Sequence, residues 1–377
     1  MLSSLRIKNF RLLEDLEVKK LGEVNLIVGK NNAGKSSLLE ALRIYASNGD
    51  FNVLQNIALE RNEPLHSFQE DASNNLKPMD SFFSNRTCFE ENRNVPKSIE
   101  IGDGGFSNFT ITPINLENDV AQVLAELNSQ GGSTQNNPQL LWQLQQYQET
   151  LYAFSVTTPN NHMRLSFQKN GGISFQGNVI GAGKLGFVPT KVLDTNELIS
   201  ALSEILATPD EDRLLDALQL LEPKTERFSV VDTKQNGHLT GQRAVMLRMK
   251  GYAQRIPLKS LGDGIARVFQ IMLNALVAKN GILLIDEFEN GLHYSIQEKV
   301  WKLIFDLSEQ LHIQVFATTH SWDCIESFSK VAKERKEEGV LVRLERSSMI
   351  GNEGKIVAIE YDEDELFTMT KANFEVR

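Results

Sequence analysis

Apolar positions along this chain change their period several times, and each change marks an expected element. Near the start, Leu5-Arg6-Ile7 and Val24-Asn25-Leu26-Ile27-Val28 are short runs of strand type. Leu38, Leu39, Leu42 and Tyr45 then recur at helical spacing and predict a helix over 35–45. Residues 46–100 are polar and broken by Asn, Ser, Pro and Gly, and read as short helices and loops. Strands are expected again at 98–101, 109–114, 151–157 and 163–168. Between them, residues 115–150 form a helical stretch rich in Gln and Asn, interrupted by Gly131-Gly132-Ser133, which reads as a solvated lobe or loop. Residues 195–222 fit one or two amphipathic helices, with Leu198, Leu202 and Ile205 on one face and Leu214, Leu215, Leu218 and Leu221 on another. That period is too short-lived for a long coiled coil. The runs 228–231 and 244–249 have the alternation of a hairpin.

From Ser260 onward the pattern changes. A helix over about 265–278 precedes a wholly apolar strand, Ile282–Ile285. A helix over about 294–310 precedes a second strand, Ile313–Thr318. Such alternation implies parallel strands joined by helical crossovers. The first and last thirds therefore read as halves of one α/β domain. We expect residues 1–114 as the N-terminal half, 115–225 as an inserted lobe, and 226–377 as the C-terminal half. After Ile313–Thr318, the runs 340–344 and 355–359 read as closing strands.

The candidate chemistry sits at the ends of these strands. Gly29-Lys30-Asn31-Asn32-Ala33-Gly34-Lys35-Ser36 fits the phosphate-loop pattern G-x-x-x-x-G-K-[ST], follows a strand and opens a helix. In such a loop, glycines let the backbone approach a phosphate closely. The N–H groups of Asn31, Asn32, Ala33 and Gly34 then converge on its oxygens at a helix N-terminus. Lys35 is expected to reach the β- and γ-phosphates, Ser36 to bind Mg2+, and Ser37 to support the α-phosphate. Asp286-Glu287 closes the strand Ile282–Ile285 with two carboxylates. Asp286 suits a contact to Mg2+. Glu287 suits orientation or deprotonation of an attacking water. Ser260-Leu261-Gly262-Asp263-Gly264 precedes a helix, and Ser260, Gly262 and Gly264 are small residues that expose N–H groups there. His320 follows the strand that ends in Thr318-Thr319 and can hydrogen-bond a γ-phosphate or its attacking water.

Composition narrows the picture further. Of 377 residues, 41% are hydrophobic and 23% charged, ordinary values for a globular chain. The net charge of -10 gives no basic arm, so any DNA contact would need a local patch. Two distant cysteines, Cys88 and Cys324, suggest a reducing, cytoplasmic setting without structural zinc. The six histidines lack metal-ligand spacing. There is no run of about 18 apolar residues, so no membrane span is expected. No signal peptide is expected either. The mixed-sign run 330–338 reads as a solvated helix face, and Asp362-Glu363-Asp364-Glu365 as a loop or helix cap.

The order of these segments resembles the ABC-type ATPase heads of recombination and repair proteins. More narrowly it is similar to the OLD-like AAA ATPases, the overcoming-lysogenisation-defect family, which is related to RecF and SMC heads. Ile7-Lys8-Asn9-Phe10-Arg11, Leu261-Gly262-Asp263-Gly264, Asp286 through His293 and Thr318-Thr319-His320-Ser321 carry the likeness. It covers most of residues 1–60 and 225–377 and is vague between them. The resemblance implies a P-loop NTPase fold of ABC-head type, with a mixed sheet and an inserted, mainly helical lobe. It implies ATP and Mg2+ as cofactors, and ATP hydrolysis with Glu287, His320 and Lys35 as catalytic groups. It also implies a homodimer in which Gly29–Ser36 of one head faces Ser260–Gly264 of the other across ATP, with Asn290–His293 at the seam.

Two departures shape the expectation. Ser-Leu-Gly-Asp-Gly differs from the transporter form Leu-Ser-Gly-Gly-Gln and argues against a transporter subunit. No glutamine stands out as the coupling glutamine of such heads; Gln69 is one candidate, and its surroundings do not single it out. OLD-like nucleases carry a TOPRIM domain after the ATPase, whereas 57 residues follow His320 here (377 minus 320). The expected partner is therefore a separate effector, a nuclease or toxin, in defence against phage or mobile DNA. The alternative is a repair ATPase of RecF or SMC-like type that binds DNA itself.

Overall fold

The wholly apolar run Val24–Val28 (β3) is buried at every position, as a strand covered on both faces must be. In the computed structural model, β3 lies between Gln314–Thr318 (β14) and Gly339–Arg346 (β15), parallel to both. Strand Ile282–Ile285 (β13) pairs with β14, and Leu185–Val188 (β9) pairs with β13, again in parallel. Ile356–Tyr361 (β16) closes the other edge antiparallel to β15. The order is β16-β15-β3-β14-β13-β9. The structure describes all residues except 64, 66–78, 90–94, 105–107, 117–118, 122–148, 160, 178–182, 192–194, 207, 236–237 and 373–377. Gln69 and most of the Gln/Asn-rich stretch thus lie outside the described residues.

Alternation along these strands feeds two separate cores. Leu26, Leu283, Ile285 and Val315 point to one side, and Ile27, Leu284 and Phe316 to the other. On the first side lie helices Asp263–Val277 (α5), Tyr294–Leu311 (α6) and Trp322–Glu334 (α7). There Phe288 stacks on Trp301 with ring centroids 3.9 Å apart, and Trp301 meets Phe328 edge-on at 5.0 Å. Such pairs add about 0.5–1.5 kcal/mol each beyond their area burial. They fix the chain just past β13, where Phe288 follows Glu287.

On the second side lie helix Lys35–Ala46 (α1) and a seven-stranded antiparallel sheet. Its strands are Leu5–Phe10 (β1), Leu13–Val18 (β2), Ile99–Gly102 (β4), Phe109–Ile114 (β5), Thr150–Thr158 (β6), Asn161–Gln168 (β7) and Ile173–Gly177 (β8). Their order is β2-β1-β4-β5-β6-β7-β8, so this sheet runs on past residue 114, where the sequence suggested a domain cut. Helix Phe51–Glu60 (α2) is N-capped by Asp50, whose carboxylate accepts from the N–H groups of Asn52 and Val53.

Thr195–Ile205 (α3) and Asp210–Leu221 (α4) pack on α5. A third sheet, Thr225–Gln235 (β10), His238–Met249 (β11) and Ile256–Pro257 (β12), leads into the helix-start segment at 260–264. The expected hairpin is present and longer than its apolar runs indicated. At the C-terminus, Asp362 accepts from the N–H groups of Asp364 and Glu365 and forms a capping box with Glu365. That acidic cluster is therefore the cap of helix Glu363–Lys371 (α8).

Candidate nucleotide site

The carboxyl ends of β3, β13 and β14 lie side by side, because β14 separates the other two and all run parallel. Ligands of open α/β sheets bind at such strand ends. The loop after β3 turns back at Gly29, in positive-φ backbone at 148°, where a Cβ would sit 2.4 Å from the Leu344 carbonyl oxygen. Only glycine fits there. Helix α1 starts from left-handed Gly34 with no side chain capping it. Its first N–H groups are thus left for an anion.

Lys35 is buried, and its Nζ donates to the carbonyl oxygens of Gly29 at 2.6 Å and Lys30 at 3.1 Å. Burial pulls its pKa below the ordinary lysine value. The carboxylates of Asp286, Glu287 and Glu289, in that order, oppose the shift. Lys35 therefore sits in the field of the acidic strand end, although 251 residues separate Lys35 from Asp286 (286 minus 35). Ser36 is exposed at the same helix start, and Ser37 is buried behind it.

Past β13 the carboxylates are held individually. Asp286 accepts from the hydroxyls of Thr190 and Thr318, both at 2.8 Å. Glu287 adopts left-handed backbone, φ 49°, which a non-glycine residue takes at a cost of about 1–3 kcal/mol. Its N–H donates to Thr318 Oγ1 at 2.8 Å, and its Oε2 accepts from Asn290 Nδ2 at 2.7 Å. Glu289 ties β13 to β14. It accepts from Thr319 Oγ1 at 2.7 Å and from the His320 N–H at 2.8 Å.

A cleft of about 870 Å³ opens over the loop, lined by residues 31–37 and by His320. The rest of its lining carries five cations, Arg11, Arg61, Arg86, Arg346 and Lys355, against the carboxylates of Glu14 and Glu63. Buried Glu40 anchors part of that lining. It lies 2.6 Å from Arg11 Nε and 2.7 Å from an Arg61 terminal nitrogen. Burial raises the Glu40 pKa, against the pull of Arg11 and Arg61. The first of these contacts is poorly angled, so Arg11 Nε and Glu40 Oε2 lack a well-formed hydrogen bond.

Ser260 and Gly262 are exposed but do not line this cleft. Gly264 lies against the segment after Glu287, since a Cβ on it would be 3.1 Å from the Gly291 carbonyl oxygen. The structure thus gathers residues 31–37 and His320 in one cleft; Asp286 and Glu287 do not line it but act on the Lys35 charge from the end of β13. Ser260–Gly264 stands apart with Gly291.

The residue types suit a magnesium nucleotide. An uncapped helix start, a buried lysine and a largely cationic lining match a triphosphate. Each Asp286 oxygen accepts from one hydroxyl, Thr190 on one and Thr318 on the other. Among the described residues, no three His, Cys, Asp or Glu side chains form a metal cage. A Mg2+ site of this kind needs none, because it draws on one or two protein oxygens plus phosphates and waters. Sequence reasoning missed Thr190, Arg61, Arg86 and buried Arg267. No motif marks them, and each reaches the site only through tertiary folding.

Fold and cleft together define a P-loop nucleotide-binding protein. A family model described as "AAA ATPase domain" matches residues 1–169 and 189–325. The chain belongs to that family. It is an ATPase, converting ATP and water to ADP and phosphate, and it uses ATP and Mg2+. Among curated relatives it is similar to an "ATP/GTP phosphatase" of Helicobacter pylori, 26% identical over 362 residues, 89% of each chain. An uncharacterized protein of Methanocaldococcus jannaschii is 51% identical over 47 residues, 12% of this chain and 22% of that one. Of solved structures, an SMC head bound to the C-winged helix domain of ScpA superposes with TM-score 0.46 at 10% identity, covering 96% of this chain and 97% of that one. The SMC head of Thermotoga maritima gives 0.41 at 12% identity, covering 96% and 99%. No helix among the described residues is long and apolar enough to cross a membrane.

Proposed function

We propose that two copies of this chain close on two ATP molecules, and that this closure gates a separate effector. In each head, the Gly29–Ser37 backbone and Lys35 hold the phosphates, and Ser36 with Asp286 holds Mg2+. Glu287 takes a proton from the attacking water, and His320 contacts the γ-phosphate or that water. The metal withdraws charge from the phosphates when bound. Catalysis is then positioning plus charge stabilisation.

The observation that carries this reading is the split arrangement of the site. The carboxylates of Asp286 and Glu287 act on the buried Lys35 charge, while Ser260 and Gly262 are exposed and do not line the cleft. A second copy would bring its own Ser260–Gly264 to the open side of the cleft, and Asn290–His293 would lie at the seam. The sequence resemblance extends the reading to the OLD-like family, with a nuclease or toxin as effector in defence against phage or mobile DNA. That purpose rests on resemblance alone.

Light scattering tests the assembly. With Mg2+ and a non-hydrolysable ATP analogue, the expected species has twice the 42.4 kDa of one chain, and nucleotide-free protein is smaller. A single-chain mass at saturating analogue would overturn the sandwich.

A further inference from the structure

The helix that begins at Ser260–Gly264 also carries a buried cation. Arg267, 1% exposed, lies one turn into α5. One terminal nitrogen donates to the Pro189 carbonyl oxygen. The other donates to the carbonyl oxygens of Asp286 at 2.7 Å and Glu287 at 3.1 Å. All three acceptors are backbone, and Arg267 Nε finds no partner. Burying a cation on neutral acceptors is costly, and burial draws its pKa down to about 10, opposed by Asp286, Glu289 and Glu287.

Carbonyl capping alone does not require a charge, since a neutral amide donates as well. A guanidinium adds a fork whose two terminal nitrogens join the Pro189 carbonyl to those of Asp286 and Glu287, and a positive charge close to the carboxylates. The Glu287 peptide is gripped on both sides, its N–H by Thr318 Oγ1 and its C=O by Arg267. Between those two bonds lies the left-handed φ of 49° that sets where the side chain points.

We propose that Arg267 is a positioning residue that fixes the Glu287 backbone in its left-handed turn and links that turn to the helix starting at Ser260–Gly264. A nucleotide held against Ser260–Gly264 by the opposing head would load α5. Arg267, four residues past the helix start at Asp263, would pass that load to Glu287 through the carbonyls it binds. The inference rests on the reading of Glu287 as the group that activates water.

The test uses the full chain with R267K, R267M, E287Q and the double variant R267M/E287Q, assayed with Mg2+–ATP for turnover, nucleotide affinity and melting. In R267M, kcat is expected to fall about 30-fold or more, with KM and nucleotide Kd held within about threefold. R267K, which offers a point charge without the fork, is expected to recover only part of the loss. In the E287Q background, R267M should change the residual rate by less than about threefold, because the residue it positions is already disabled. If R267M does not fold, R267K is judged by the same split. Wild-type kcat in R267K and R267M, or a loss that only tracks lost nucleotide affinity or melting, overturns the inference. Full turnover in E287Q would instead remove the assignment of Glu287, whatever Arg267 does.

Discussion

Replacing Glu287 by Gln is expected to lower ATP turnover by about 10²–10⁴-fold while nucleotide affinity stays within about threefold. The change is isosteric and removes one charge and one proton acceptor. Asn290 Nδ2, now 2.7 Å from Glu287 Oε2, can still donate to the amide oxygen, so the side chain keeps its place. The substitution also removes negative charge from beside a bound triphosphate, which does not weaken binding. A phosphate-release assay and an equilibrium titration separate the two effects. Undiminished turnover would refute the assignment, because the neighbouring carboxylates Asp286 and Glu289 are occupied by ties to Thr190, Thr318, Thr319 and His320.

Lys35→Met is expected to do the opposite and weaken Mg2+–ATP binding by about 10²–10³-fold, with turnover lost at accessible concentrations. Hydrogen bonds to charged groups contribute about 1.5–3 kcal/mol each, and Lys35 is placed to make more than one. Stability should respond differently. Burial already disfavours the Lys35 charge, and methionine keeps the apolar stem, so the nucleotide-free melting temperature should move by no more than about 4 °C. Calorimetric titration reads the affinity, and thermal unfolding reads the fold. Unchanged affinity would sink the phosphate role of Lys35, and a collapsed melting transition would make it structural.

The legible parts of this protein were its local ones. Each motif string lies within a few residues of a strand end. Runs such as Ile282–Ile285 are apolar enough to mark the strand that positions it. β9 went unread because Leu-Gly-Phe-Val is too short to show a period and contains a glycine. β2 went unread because Leu-Glu-Asp-Leu-Glu-Val does not alternate cleanly, though it buries Leu13, Leu16 and Val18. The cleft lining joins Arg11, Arg61 and Arg86 from three segments, and only the antiparallel sheet and α2 bring them together. In sequence Arg267 is one cation in an amphipathic helix, and such residues usually face water. Its carbonyl partners at 189, 286 and 287 belong to other elements. The left-handed backbone of Glu287 has no glycine to announce it.

A crystal structure of the Glu287→Gln variant soaked with Mg2+ and ATP is the most direct check that Lys35 and Glu287 act on one triphosphate. Lys35 Nζ is expected about 3 Å from a β- or γ-phosphate oxygen, with the residue-287 amide within reach of the same γ-phosphate through one water. A γ-phosphate bound by Lys35 and lying more than about 10 Å from residue 287 of either copy would contradict it.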